Sequence, residues 1–245
     1  MNFVQSNLEI ETVSLCNRVC PTCMRNSYPD KEVVKEWFQL NFMPTETILE
    51  LVKQAYDLGF RGNVNLSRFN EPLYDKRLPE LGKEIKKIGK FEHVMFHSNG
   101  DLLTESVAKE LDGVFDLIVF SLNDSYEENK ERKDWVETLF SKTELLFVSG
   151  HRYVHYYPIP DIVEFGKNRV NLPCFEPTLR ILFNYKGELV FCCEEVNPVF
   201  FKLGKFPEQS LEQLLTNSYY TETIEALKYE GGRAKFELCK DCPRG

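Results

Sequence analysis

The sequence predicts an α/β protein built on a parallel sheet, open or barrel-like. Three observations carry this reading. Short apolar segments alternate with segments of helical spacing from residue 8 to residue 157. The stretch at 115–121, Phe-Asp-Leu-Ile-Val-Phe-Ser, is almost wholly apolar, as a strand buried on both faces should be. Beyond Pro158 the rhythm gives way to hairpin and short-helix signals, which sets a boundary near residue 160.

Taken in order, residues 8–13 alternate and read as a strand that runs straight into a cysteine-bearing loop. Pro44-Thr45-Glu46-Thr47 starts a helix with Ile48, Leu51, Val52 and Ala55 at helical spacing, and Leu58-Gly59-Phe60 ends it. Residues 64–67 form a second strand and 76–87 a helix. A third strand, 94–97, ends at Asn99-Gly100, and 104–111 reads as a helix. The strand at 115–121 is followed by a charged helix over 126–140, then by strands at 145–148 and 153–157. In the second segment, 178–184 and 189–192 flank the turn Tyr185-Lys186-Gly187-Glu188 as a hairpin. Residues 211–215 and 221–229 read as short helices, and Gly231-Gly232 precedes the last two cysteines.

Composition bounds the function. With 245 residues and 42% of them apolar, the chain can bury a sizeable core, which excludes a collagenous or disordered protein. Its net charge of −8 argues against nucleic acid as a partner, because phosphate binding wants a basic surface. No run of about 18 apolar residues exists, so no membrane partner is expected. The first residues lack the basic and apolar parts of a signal peptide, and the expected location is the cytoplasm.

Eight cysteines need explaining. In a reducing compartment, clustered cysteines more often bind metal or do redox chemistry than form disulfides. They fall in two groups: Cys16, Cys20 and Cys23, then Cys174, Cys192, Cys193, Cys239 and Cys242. A structural zinc site wants four ligands, so the first trio would have to borrow a distant one. A 4Fe–4S cluster also wants four, and three cysteines leave one iron open to a small molecule. The second group offers enough thiols for a four-cysteine zinc ribbon or a further cluster.

The motifs then meet a family. Cys16-x3-Cys20-x2-Cys23, directly after the first strand, resembles the signature of the radical S-adenosylmethionine (SAM) enzymes. Phe69-Asn70-Glu71-Pro72 after the second strand resembles the family's Gly-Gly-Glu segment. His97-Ser98-Asn99-Gly100 after the third resembles its Thr-Asn-Gly turn, and Ser121-Leu122-Asn123 after the fourth resembles its Ser-Leu-Asp segment. Cys174-x12-Gly187-x4-Cys192 is similar to the start of the SPASM pattern, in the shortened "twitch" form. Two departures stand out. Thr22 replaces the usual aromatic before the third cysteine, and Phe69-Asn70 replaces the glycine pair before Glu71.

The resemblance implies a partial (β/α)6 barrel of the TIM type over residues 1–160 and a small cluster-binding subdomain over 161–245. It implies two 4Fe–4S clusters, one held by Cys16, Cys20 and Cys23, the other by Cys174, Cys192, Cys239 and Cys242. It implies SAM bound near Asn70, Glu71, Ser98, Asn99, Ser121 and Asn123. The expected activity is cleavage of SAM to a 5′-deoxyadenosyl radical, which abstracts hydrogen from a small sugar- or cyclitol-like substrate. The auxiliary cluster then oxidises the substrate radical, and an external donor such as flavodoxin or ferredoxin supplies electrons. Arg169, in a place where the family often shows Asn-Arg, and Cys193 are the catalytic candidates. Arg169 would hold a polar substrate or assist proton removal, with a structural arginine as the plain alternative. Cys193 is either a buried small hydrophobe or a thiol hydrogen donor. If Cys192 faces the cluster, strand alternation turns Cys193 away. Glu194 and Glu195 would support the cluster or meet substrate, while His151, His155 and Tyr157 would line the barrel. Rival readings are a radical SAM epimerase or peptide-modifying maturase and, outside the class, a non-catalytic zinc-binding module.

Overall fold

The computed structural model describes residues 5–20, 23–27, 32, 34–35, 39–149, 169–240 and 242. Their sheet has seven strands in the order β5-β4-β3-β2-β1-β6-β7. Strand β1 (Asn7–Ile10) lies inside it, parallel to β2 (Asn63–Asn65) on one side and to β6 (Arg180–Phe183) on the other. Leu8 is thereby in register with both Val64 and Ile181. Beyond β2, strands β3 (Val94–Ser98), β4 (Leu117–Leu122) and β5 (Glu144–Ser149) continue in parallel. Strand β7 (Leu189–Val190) closes antiparallel on β6.

The parallel α/β architecture expected from the sequence is what the chain forms. The sixth parallel strand came from an unexpected place. Residues 153–157, expected to supply one, lie outside the described residues. Among the described residues the sixth is β6, from the segment assigned to the tail, and the tail's hairpin therefore grows out of the main sheet.

Helices follow the strands for reasons visible in their residues. Helix α1 (Met24–Ser27) is a single turn in the cysteine loop. Helix α2 (Thr45–Asp57) buries Ile48, Leu51, Val52 and Ala55 as one stripe. Each of the Ile, Leu and Val side chains contributes roughly 1.5–3 kcal/mol on burial. Helix α3 (Leu78–Ile88) buries Leu78, Leu81 and Ile85. Helix α4 (Glu105–Leu111) is capped by Thr104, whose hydroxyl accepts the Val107 N–H at 3.2 Å. Helix α5 (Tyr126–Leu139) starts with a capping box of Ser125 and Glu128 and buries only Val136.

The tail shares the core of the sheet: Leu211, Leu214, Leu227 and Leu238 join one apolar cluster with Leu8 and Ile10. Its elements are α6 (Glu176–Leu179), α7 (Leu211–Leu215), α8 (Ser218–Leu227) and α9 (Glu237–Lys240). The hairpin turn requires glycine at 187. There φ is +79°, and a Cβ would stand 2.3 Å from the Phe206 carbonyl oxygen. No helix among the described residues is long and apolar enough to cross a membrane.

Candidate active site

Parallel strands leave the sheet on the same side, so their C-terminal loops share one rim. Strands β1 to β4 are neighbours in order. Their exits carry the first cysteine loop, then Asn70-Glu71, then Ser98-Asn99, then Ser121-Leu122-Asn123. The topology thus gathers four sequence-distant motifs along one edge.

The cysteine loop is pinned at its entry. The Ser14 N–H donates to the Asn41 carbonyl at 2.9 Å, and the Met43 N–H donates to the Thr12 carbonyl at 3.0 Å. Within the loop the Cys23 N–H returns to the Cys20 carbonyl at 3.0 Å, and the Asn26 amide donates to the same carbonyl at 2.8 Å. Between them stands Arg18, whose guanidinium meets two carboxylates at once. It donates to Asp101 at 2.5 and 2.6 Å and to Asp124 at 2.9 and 2.8 Å. Arg132 reinforces both acids and donates to the Asn99 carbonyl at 2.7 Å. Arg18 is the first cause of an Asp124 pKa below the usual carboxylate range. The loop that carries three thiols is therefore fastened to the exits of β3 and β4.

Glu71 is buried, with 1% of its surface exposed. Its Oε1 accepts from the Ser98 hydroxyl at 2.7 Å and the Leu73 N–H at 3.1 Å, and its Oε2 accepts from the Asn99 N–H at 2.8 Å. Burial pushes its pKa up to about 6, against those three donors. The Asn99 side-chain amide reaches back to Asn17 Oδ1 at 2.9 Å and to Cys16 Sγ at 3.9 Å. Asn70 is also buried; its Oδ1 accepts the Arg68 N–H at 2.8 Å, while its Nδ2 has no hydrogen-bond partner among the described residues. Ser121 and Asn123 are half-buried on the same rim. Burial raises the thiol pKa values of all three loop cysteines, to about 11 at Cys16.

A second thiol set lies in the tail. Cys174, Cys192, Cys239 and Cys242 line one cavity together with Cys193, Glu194 and Arg233. Cys239 is pushed up to about 12, first by burial and then by Cys242 and Cys174. Cys192 is raised as well, again first by burial. Among the described residues no three His, Cys, Asp or Glu side chains are arranged to hold a metal ion.

Cys193 corrects one expectation. Strand alternation should turn it away from Cys192, yet both line the cavity, because β7 ends at Val190 and the alternation ends with it. Its thiol lies 3.8 Å from Glu176 Oε2 and 3.9 Å from Glu194 Oε1. Glu194 lines the cavity, whereas Glu195 serves the backbone, accepting the Phe200 and Phe201 N–H groups at 2.8 and 3.1 Å. Arg169 sits in a turn whose carbonyl accepts the Leu172 N–H, and it is not among the described residues of the cavity wall. Thr22, Asn168, His151, His155 and Tyr157 lie outside the described residues.

Several site residues escaped the sequence reading. In the sequence Arg132 resembles a solvated charge on a helix, and Arg18, Asp101 and Asp124 resemble ordinary solvated loop charges. Arg68 is another: from the exit of β2 it donates to the Val196 carbonyl at 2.7 Å and also to the Glu195 carbonyl. The signal available was position for Asp101, Asp124 and Arg68, each within three residues of a strand end, whereas Arg18 lies mid-loop and Arg132 inside α5.

Comparison with known proteins agrees with this geometry. A model described as the radical SAM superfamily matches residues 10–167, and one described as an iron-sulfur cluster-binding domain, SPASM, matches residues 174–243. The chain is 25% identical over 247 residues to the S-adenosyl-L-methionine-dependent 2-deoxy-scyllo-inosamine dehydrogenase of Niallia circulans, covering 99% of this chain and 94% of that protein. The crystal structure of BtrN in complex with AdoMet and 2-DOIA shares the fold with a TM-score of 0.74 and 22% identity, covering 99% of this chain and 94% of that one. Native anSMEcpe with bound AdoMet superposes with a TM-score of 0.62 and 14% identity, covering 97% and 88%. With the superfamily's model matched from residue 10 to residue 167, across the sheet whose strand ends carry the motifs, this chain belongs to the radical SAM superfamily.

Proposed function

We propose that the protein is a radical SAM dehydrogenase that oxidises a secondary alcohol of a small sugar- or cyclitol-like molecule. The observation that carries the reading is the pair of thiol sets: three on the loop after β1, and four around one cavity in the tail. The 2-deoxy-scyllo-inosamine dehydrogenase of Niallia circulans, similar over nearly the full chain, lends the substrate class.

Two observations support the fit of the cofactors. The buried Asn70 Nδ2 lacks a hydrogen-bond partner among the described residues, next to Glu71 in the chain, where SAM would offer acceptor oxygens. Four thiols lining one cavity are the complete ligand set of a 4Fe–4S cluster. Cys16, Cys20 and Cys23 would hold the first cluster, and Cys174, Cys192, Cys239 and Cys242 the second. When bound, the clusters and SAM supply removal of a hydrogen atom from a C–H bond and a destination for the electron left behind.

The chain's own residues bind and orient. Glu71 has about four acceptor sites, three of them filled, and keeps one for the SAM ammonium. Ser98 and Asn99 hold that carboxylate in place, and the Asn99 amide steadies Cys16. Ser121 and Asn123 would meet the ribose and carboxylate of SAM. Arg169 would hold the polar substrate. The alcohol oxidation balances as one hydrogen atom, one proton and one electron removed. We divide the chain into a core of residues 1–160 and a tail of 161–245. A flavodoxin- or ferredoxin-type donor and a cytoplasmic setting complete the reading.

The test is made on protein purified without oxygen: iron, acid-labile sulfide and zinc per chain, then 5′-deoxyadenosine formed after reduction with SAM. About eight irons with deoxyadenosine formed supports the reading, since each cluster needs four. About four irons, lost on changing Cys16, Cys20 and Cys23, removes the auxiliary cluster and with it the oxidation step. Zinc in place of iron, with no SAM cleavage, overturns the proposal.

A further inference from the structure

Arg233 is 1% exposed, and it belongs to the wall of the tail's thiol cavity. Its Nη1 donates to the Cys242 carbonyl at 3.3 Å. Its Nε and Nη2 are buried and have no hydrogen-bond partner among the described residues. No carboxylate among the described residues forms an ion pair with it. A guanidinium cannot shed its proton at ordinary pH, so burial leaves a full positive charge with three unmet N–H donors, one on Nε and two on Nη2. An isolated buried charge costs several kcal/mol unless an anion answers it. Among the described residues the wall of the same cavity carries the thiols of Cys174, Cys192, Cys193, Cys239 and Cys242 and the carboxylates of Glu176 and Glu194.

The backbone puts Arg233 there by a close approach. At Gly232 a Cβ would stand 1.9 Å from the Ala226 carbonyl oxygen of α8 and 3.0 Å from that of Tyr229. Only glycine lets the chain pass so near the helix and turn its next side chain inward. The short helical turn over Arg233–Lys235 follows at once, and α9 then delivers Cys239.

We propose that Arg233 is the counter-charge of the auxiliary cluster, aiming its Nε–H and Nη2–H at the sulfur atoms and setting the cluster's reduction potential. This rests on the auxiliary-cluster reading above. A 4Fe–4S cluster on four thiolates is an anion, and taking up one electron adds one more negative charge. A fixed cation with donors to sulfur stabilises the reduced form more than the oxidised form. Arg233 therefore raises the potential and makes the cluster a better acceptor for the substrate's electron. Its role is positioning and electrostatic; it touches no substrate.

The test uses the full chain carrying Cys16→Ala, Cys20→Ala and Cys23→Ala, so that only the tail contributes a cluster signal. If this protein binds no iron and labile sulfide, the auxiliary-cluster reading itself fails. If it binds about four irons, arginine is labelled with 15N and the reduced cluster is studied by pulsed electron paramagnetic resonance. A 15N coupling from arginine is expected, and it should vanish in Arg233→Met and in Arg233→Lys. The midpoint potential in Arg233→Met should fall by at least a tenfold change in the reduction equilibrium, about 59 mV for one electron. In Arg233→Lys it should fall by less, because the charge is kept. A bound cluster with no arginine coupling, or a potential unmoved by the loss of Arg233, overturns the proposal and leaves the cluster reading standing. The coupling needs no change at position 233, so a variant that fails to fold cannot leave the question open.

Discussion

Glu71 Oε2 accepts the backbone N–H of Asn99 at 2.8 Å, so the carboxylate after β2 fixes the turn after β3. Neither residue's position is independent of the other, and Asn99 in turn touches Cys16.

Glu71 predicts two pH dependences of opposite sign. Burial raises its pKa to about 6 from 4.5. The folded pKa lies above the unfolded one, so its stability contribution is full below pH 4.5 and lost as pH rises through 6. The difference is about 2 kcal/mol. SAM binding needs the ionised form, so affinity should weaken by up to about tenfold per unit as pH falls below 6. Urea unfolding of the apo protein and equilibrium dialysis of SAM, each between pH 5 and 8, measure the two. In Glu71→Gln both dependences should flatten, and if SAM affinity keeps its pH profile there, Glu71 is not the ammonium's partner.

Arg18 should be worth more to the site than to the fold. Changing Arg18→Met leaves Asp101 and Asp124 facing one another with Arg132 as their remaining cation, at a cost of about 2–3 kcal/mol. Iron retention at the first thiol set is expected to fall, while the tail keeps its own. Arg18→Lys should not rescue, because one ammonium cannot fork onto two carboxylates. Iron counts in the variants, with Cys174→Ala present to remove the tail's share, give the answer.

Arg68 ties the exit of β2 to the tail through two backbone carbonyls. Its replacement by Met should destabilise the loop at Glu195-Val196 and speed amide hydrogen exchange there, with α2 unchanged. Equal exchange in both proteins would show that the tail is held without it.

Cys193 separates dehydrogenase from epimerase. Oxidation needs no hydrogen donor, so Cys193→Ala should turn over fully. A variant that still cleaves SAM but releases no product would make the thiol the donor and the outcome epimerisation. Product analysis by mass spectrometry in deuterated water distinguishes the two, since a donor thiol would leave deuterium on carbon.

Much of this architecture was legible because it is locally encoded. The stripe of Ile48, Leu51, Val52 and Ala55, the cap at Thr104 and the apolar run of β4 each announce themselves within a dozen residues. The motifs at the strand ends were legible for the same reason. What escaped was non-local or too short for a period. Strand β6 pairs with β1 across most of the chain, and α6 and α9 have four residues each. The Arg18 network joins three loops, and nothing in the sequence near Arg18 tells which acids it will meet. The alternation argument at Cys193 failed because it was carried past the end of its strand.

The pairing of β1 with β6 bears on how the protein is made. Strand β1 leaves the ribosome well before β6, its parallel neighbour, so it keeps a bare hydrogen-bonding edge until Arg180–Phe183 has emerged. The cysteine loop hangs from that unfinished strand. Its thiols then stay open to oxygen and stray metal during synthesis, and iron delivered to the nascent chain meets a loop whose support is incomplete. Assembly machinery acting after release, on a sheet already closed, is the order this topology favours. Slowing translation between the two cysteine groups should lower the iron content of the released protein without changing its sequence.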